Sequence, residues 1–104
     1  MYRMYRNPME DRAAVGAALL DEWMPGWAER IELEELDLGS PLRCVLGQLY
    51  GGYGRGLDLL RSGERFTAYP EWSRAHGFTA NAVEGDTFAE LTAAWRGEVA
   101  ARVG

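Results

Sequence analysis

Lysine is absent from this chain of 104 residues, and its 11 basic side chains are all arginine. Isoleucine, glutamine and histidine occur once each, whereas alanine, glycine, arginine and glutamate are abundant. Since GC-rich codons encode the abundant residues, we infer a GC-rich genome. The 16 carboxylates leave a net charge of −5. Because nucleic-acid binding rests on phosphate neutralisation by clustered basic residues, this balance makes nucleic acid an improbable partner.

Cysteine and histidine, the usual ligands of zinc, are equally scarce. Cys44 is the single cysteine and His76 the single histidine, so an intramolecular disulfide is excluded. A structural zinc site needs about four such ligands at short spacings. The acidic stretch 29–37 lacks the Asp/Gly loop pattern of a calcium site. We therefore predict no metal site and no cofactor.

Long apolar runs are missing as well. No stretch approaches the ~20 apolar residues that a membrane-spanning helix requires. Arg3 and Arg6 are not followed by the apolar run of a secretory signal. We therefore expect a cytoplasmic protein that has no membrane partner.

What is present is enough for one hydrophobic core. The apolar fraction is 47%, and aromatic residues make up 12% of the chain. A chain of this length forms one domain. We predict a single helical domain over residues 8–104, preceded by a flexible arm over residues 1–7.

Helix signals are clearest near the two ends of that domain. Asn7 caps a helix in which Pro8 takes the first position and Glu10 completes a capping box, and Pro25-Gly26 ends it. Thr87 begins a second long helix. Apolar residues at helical spacing predict the buried faces: Val15, Leu19, Leu20 and Trp23 with Ala14 and Ala18 in the first helix, and Phe88, Leu91, Trp95 and Val99 in the last.

Shorter helices are predicted between them. Ser40-Pro41 begins a central helix that buries Leu42, Val45, Leu46, Leu49 and Tyr50, and Gly51-Gly52 ends it. Further short helices are expected around 57–60 and from Pro70 to His76, where Gly77-Phe78 is typical of a helix C-terminus. Residues 64–69 alternate and could be extended, but they lack a partner strand. The fold class predicted is therefore all-α, a compact bundle of about five helices, some of them short.

Nucleophilic catalysis has weak support. Cys44 and His76 could pair, with Asp86 orienting the histidine, and Ser73 lies one helical turn before His76. However, Cys44 belongs to a helix predicted to be buried, where the pKa of a thiol rises and its reactivity falls. No nucleophile elbow or oxyanion motif accompanies either residue. We therefore predict no catalytic residues and no enzymatic activity.

The glycine-rich stretch 46–56 is the most distinctive pattern. Glycines at a helix end can let the backbone approach a phosphate, and an arginine can pair with it. Gly52, Gly54 and Arg55 are therefore candidate ligand-binding residues for a small anionic, nucleotide-like ligand. The phosphate loop needs a lysine, and the dinucleotide fingerprint follows a strand, whereas here a helix precedes. A tight turn between helices is the simpler interpretation.

An acidic and aromatic surface is the third pattern. Residues 21–37 carry seven acids and one arginine, which favours steering toward a basic partner, although charge runs also serve solvation. Exposed aromatic rings mark interfaces, although the many large rings of this chain could equally fill its core. The candidate interaction residues are Tyr50, Tyr53, Trp72, Glu32, Glu34 and Glu35.

The run Arg43-Cys44-Val45-Leu46-Gly47-Gln48-Leu49-Tyr50-Gly51, with Pro25-Gly26-Trp27 and His76-Gly77-Phe78, resembles small proteins of actinobacteria and their phages. The resemblance implies a phage or prophage accessory protein, with no activity and no functional residue attached. We therefore expect a non-catalytic interaction module that binds a host protein, with a small-anion binder as the alternative. A homodimer is compatible with the sequence.

Overall fold

The computed structural model describes residues 7–61 and 68–103, and they form a helical bundle with no strand among them. The predicted all-α class is confirmed. The helices are α1 (Pro8–Trp23), α2 (Val45–Tyr50), α3 (Tyr53–Leu60), α4 (Tyr69–Ala75) and α5 (Phe88–Arg102), with 3-10 turns at Trp27–Arg30 and Ala82–Glu84. The predicted arm over 1–7 lies outside the described residues except for Asn7, as do residues 64–67 of the segment considered extended.

Helix termini follow the local sequence signals closely. The Asn7 side chain accepts from the Met9 amide at 2.7 Å, and the Glu10 carboxylate accepts from the Asn7 amide at 3.1 Å. At the end of α4 the amides of Gly77 and Phe78 donate to the carbonyls of Arg74 and Ser73. Gly77 has a φ of 72°, so this turn is a Schellman motif that returns Phe78 to the core.

The start of α2 differs from the prediction. Ser40 accepts from the Arg43 amide and closes a turn over 40–43, so the helix begins only at Val45, after Cys44. Leu42, predicted to be buried, is 67% exposed in that turn. The Ser40-Pro41 signal is therefore real, but it begins a turn that does not continue into the helix.

The predicted buried face of α1 is also wrong. Val15 and Trp23 are 50% and 56% exposed, Ala18 is exposed, and Ala14 and Leu19 are partly covered, so only Leu20 of that set is buried. The face that packs on the bundle carries mostly small side chains: Met9, Ala13, Gly16, Ala17 and Leu20. Because α1 lies directly against α5 and α4, small residues allow the close approach and larger ones are left outside.

Trp95 of α5 occupies the centre of the core. Its ring stacks on Phe78 with centroids 5.5 Å apart and meets Trp27 edge-on at 5.7 Å. Its buried Nε1 donates to the Gly77 carbonyl at 2.6 Å. Leu91 and Val99 are buried on the same face of α5, as predicted, whereas Phe88 is 39% exposed. Trp95 thus joins α5, the turn after α4 and the first 3-10 turn.

Two ion-pair clusters tie the helices together. The buried Asp86 carboxylate accepts from Arg12 of α1 at 2.9 Å, from Arg74 of α4 at 2.7 Å and from the Asn81 amide at 2.9 Å. The Arg74 hydrogen bond is the main cause that lowers the pKa of Asp86, and burial opposes it. The side chains that Asp86 binds are therefore those of Arg12 and Arg74. The prediction that Asp86 orients His76 is wrong.

The second cluster joins the C-terminal ends of α1 and α5. Arg102 donates twice to Asp21, each time at 2.8 Å, and also to Glu98 at 2.9 Å. Trp27 Nε1 donates to the same Asp21 carboxylate at 2.8 Å. Hydrogen bonding from Arg102 is the main cause that lowers the pKa of Asp21, against a smaller opposing effect of burial. The cation at the end of α5 thus also fixes the position of the 3-10 turn.

Gly16→Ala tests the close approach of α1. A Cβ at this position would collide with the His76 carbonyl oxygen and lie 2.9 Å from the Trp95 ring. We expect the free energy of unfolding to fall by about 3 kcal/mol or more, because backbone atoms must move to accommodate it. Gly97→Ala in α5 is the matched control, since its Cβ meets nothing within 4 Å. That variant should gain about 0.5–1 kcal/mol in urea unfolding. Equal effects of the two substitutions would contradict the packing described.

Asp86→Asn tests the first ion-pair cluster. Loss of the carboxylate leaves two arginines without their buried partner, so we expect a loss of about 2–3 kcal/mol at pH 7. Folding lowers the pKa of Asp86. The stability that its carboxylate contributes is therefore fully present above the unfolded pKa of about 4, and it is lost progressively as the pH falls from that value toward the lower pKa of the folded protein. The gap between the two proteins in urea unfolding should therefore narrow in acid. Exposed Glu71→Gln is the control and should change stability little; a gap that persists unchanged to pH 2 would refute the assignment.

Candidate functional site

The acidic ledge, defined here as residues 29–37, consists of the end of the first 3-10 turn and the loop that follows it toward α2. Ile31, Leu36 and Leu38 are buried and anchor it to the core. Glu32, Glu34 and Glu35 are exposed between these anchors, as predicted for interaction residues. The alternation of buried and exposed positions fixes the carboxylates on the outer side of the loop.

Gln48 holds the ledge in place from α2. Its Oε1 accepts from the Glu32 amide at 2.7 Å, and its Nε2 donates to the carbonyls of Glu32 at 3.3 Å and Arg43 at 3.1 Å. On the other side, Thr92 of α5 accepts from the Leu38 amide at 3.0 Å. These bonds satisfy the backbone of a loop without regular structure, so the ledge is fixed from two helices.

The acidic ledge carries a concentrated negative charge. With five acids and one arginine, residues 29–37 carry a charge of −4, against −5 for the whole chain. Arg43 contacts Glu35 at 3.8 Å and Asp37 at 3.5 Å, both exposed pairs of small energetic value. Among the described residues, Glu32 and Glu34 form no ion pair. A surface depression of about 380 Å³ is lined by residues 31–35.

The predicted aromatic residues do not all reach the surface. Trp72 is buried, with its ring stacked on His76 at 4.0 Å and on Phe78 at 6.1 Å. Its assignment as an interaction residue is therefore wrong, because the Schellman turn folds Phe78 against it. Tyr53 is half-buried and its hydroxyl lies 2.6 Å from the Ser73 hydroxyl, so Ser73 has a structural partner.

Tyr50 is half-buried near the ledge. Burial raises the pKa of its hydroxyl, and the charge of Arg30 opposes this rise. Arg30 in turn lies against Met24, with Nη1 3.4 Å from the sulfur. Trp23, which sequence reasoning placed in the core, is 56% exposed. Its position could have been recognised only by treating the small-residue face of α1 as the packed one.

The glycine-rich segment has a packing explanation at most of its positions. Gly51 adopts a φ of 88° and ends α2. A Cβ at Gly56 would lie 2.8 Å from Leu46 Cβ, and one at Gly47 would strike the backbone of Pro41 and Leu42. These glycines therefore permit the tight packing between α2, α3 and the preceding turn.

Gly52 and Gly54 have no such explanation, because a Cβ at either position would meet nothing within 4 Å. Arg55 is exposed beside them. Five surface depressions are lined by residues other than these three. One lies on the acidic ledge, one of about 680 Å³ lies around Arg12 and Arg74, and smaller ones lie near Arg102, Phe88 and Asn7. The anionic-ligand site at Gly52, Gly54 and Arg55 stays a prediction.

Cys44 caps α2 and is buried. Its sulfur accepts from the Gly47 amide at 3.3 Å, and burial is the main cause that raises the pKa of the thiol. His76 stacks on Trp72, and its Nδ1 lies 2.8 Å from the Trp72 carbonyl oxygen. Both residues thus have structural partners. Within residues 7–61 and 68–103, no group of three or more His, Cys, Asp or Glu residues is arranged to hold a metal ion.

No helix in the described part of the chain has the length and apolar character needed to cross a membrane. Comparison with known proteins found no matching family model, no matching curated protein and no matching solved structure. Function is therefore inferred from the sequence and from the geometry of the described residues.

The burial of Cys44 predicts slow thiol chemistry. A buried thiol with a raised pKa reacts poorly, so Ellman's reagent at pH 8 should modify the native protein at least a hundredfold more slowly than the urea-unfolded protein. The unfolded protein, with one thiol per chain, calibrates the end point. Complete modification of the folded protein within the mixing time would contradict the burial of Cys44.

Proposed function

We propose that this protein is a non-catalytic interaction module that binds a basic surface of another protein through the acidic ledge. The observation that carries the proposal is the fixed outward display of Glu32, Glu34 and Glu35 on a loop anchored by Gln48 and by buried side chains. A preformed loop loses little conformational entropy on binding, so more of its interaction energy contributes to affinity.

Electrostatics supports a basic partner. A patch with charge −4 within nine residues attracts an arginine- or lysine-rich surface over a Debye length of about 8–10 Å. Such complementarity raises association rates and excludes acidic competitors. Tyr50 of α2 is half-buried and close enough to Arg30 of the ledge for that charge to affect the pKa of its hydroxyl, so it offers an aromatic contact beside the ledge.

The biological setting of the proposal comes from the resemblance to actinobacterial and phage proteins. In that setting the chain acts as a phage or prophage accessory protein, and the basic partner is a host protein. The anionic-ligand alternative at Gly52, Gly54 and Arg55 gains no support from an enclosing cavity, so we do not advance it as the function.

Charge reversal on the ledge tests the proposal. Tagged protein is used to capture partners from an actinobacterial lysate, and the recovered partner is titrated by calorimetry at two salt concentrations. Glu32→Lys/Glu34→Lys should weaken binding at least tenfold, because two attractive contacts become repulsive. Glu71→Lys/Glu84→Lys is the matched control: it makes the same charge change at exposed positions outside the ledge and should alter affinity less than twofold.

Two results would contradict the proposal. One is a partner that binds both double variants equally well. The other is a small anion that copurifies with the chain and is released by Arg55→Ala, which would favour the ligand alternative.

A further inference from the structure

The depression around Arg12 and Arg74 is lined by residues of α4, by residues 79–84 and by Arg12 of α1. Its volume of about 680 Å³ lies within the range of small-molecule sites. Three of the lining residues, Ala75, Ala80 and Ala82, have short side chains that leave this space free. The depression therefore has room for a small polar ligand.

The two arginines of this depression are held by one buried carboxylate. Asp86 takes one N–H from Arg12 and two from Arg74, and it also accepts from the Asn81 amide. These bonds use the full acceptor capacity of the carboxylate, whereas each guanidinium carries five N–H donors. Both arginines thus keep donors that Asp86 cannot satisfy, and their side chains are 23% and 28% exposed. The pair is a preorganised binding position for a ligand carboxylate.

Two further carboxylates share the depression. Glu71 and Glu84 line it, and neither forms an ion pair within the described part of the chain. Hydrogen bonding to Asp86 is the main cause that raises the pKa of Arg74, and the nearby charge of Glu84 adds to the rise. With Asp86 included, two arginines and three carboxylates leave a charge of −1. A simple anion is therefore disfavoured, whereas a ligand with one carboxylate and two cationic groups complements the charges.

We propose that this depression binds a free basic amino acid. The ligand carboxylate contacts Arg12 and Arg74, and its cationic groups lie toward Glu71 and Glu84. Because the depression is open to solvent, we expect weak binding, with a dissociation constant of order 0.1–1 mM for L-arginine. The inference does not depend on the proposed function, since the acidic ledge uses different residues.

NMR titration of the ¹⁵N-labelled full chain with L-arginine at constant ionic strength and pH 7 tests the proposal. Saturable shifts are expected at the amides of residues 79–84. Agmatine, which is L-arginine without its carboxylate, and acetate, which has no cationic group, should each bind at least tenfold more weakly than L-arginine. The three compounds thus separate recognition of both ends from attraction of a single charge.

Variants assign the carboxylate end of the ligand. Arg12→Lys keeps a positive charge beside Asp86 but loses the planar fork that pairs with a carboxylate. It should weaken L-arginine binding at least fivefold and leave agmatine binding within twofold. Circular dichroism verifies that the variant is folded.

The cationic end and the depression itself are tested at exposed positions. Glu71→Gln/Glu84→Gln should weaken L-arginine binding at least tenfold, whereas Glu22→Gln/Glu34→Gln makes the same charge change elsewhere and should alter it less than twofold. Ala75→Trp fills the depression and should abolish binding. Ala100→Trp is its control, because Ala100 is exposed on α5 and lines none of the depressions described above.

Three results would overturn the proposal. The first is the absence of saturable shifts at residues 79–84 up to 20 mM L-arginine. The second is agmatine or acetate that binds as tightly as L-arginine. The third is binding that persists unchanged in Ala75→Trp or in Glu71→Gln/Glu84→Gln.

Discussion

The indole of Trp95 determines how closely the helices of this protein can approach one another. It stacks on Phe78, meets Trp27 edge-on and donates its N–H to the Gly77 carbonyl. So large a ring fits between α1 and α5 only because Gly16 provides the space. The hydrogen bond also stabilises this arrangement, since an unpaired N–H or carbonyl in this position would lose its hydration without compensation.

The surface of the molecule follows from that constraint. Because the inner face of α1 consists mainly of small residues, the larger apolar side chains Val15 and Trp23 are placed on the outside. Because the first 3-10 turn is fixed by Trp27 and Asp21, the chain leaves it in one direction and carries the acids of the ledge outward.

Sequence reasoning succeeded where structure is local. Asn7, Thr87 and Gly77 determine helix ends through residues only a few positions away, and each helix end lies where the pattern predicted it. It failed where the burial of a side chain depends on tertiary packing. Trp23 and Trp72 are alike in residue type and in helical setting, yet the first is exposed and the second is covered by a ring that returns through a turn. The exposed acids of the ledge were predictable from charge, but the support from Gln48, sixteen residues after Glu32, was not.

Hydrogen exchange of the four tryptophan indole N–H groups, followed by NMR, tests the central role of Trp95 most directly. The account predicts that the Trp95 N–H exchanges only through global unfolding, with a protection that rises and falls with the stability of the protein. The exposed Trp23 provides the internal reference and should exchange at nearly the rate of a free indole. Exchange of the Trp95 N–H as fast as that of Trp23, in protein that circular dichroism shows to be folded, would contradict the account.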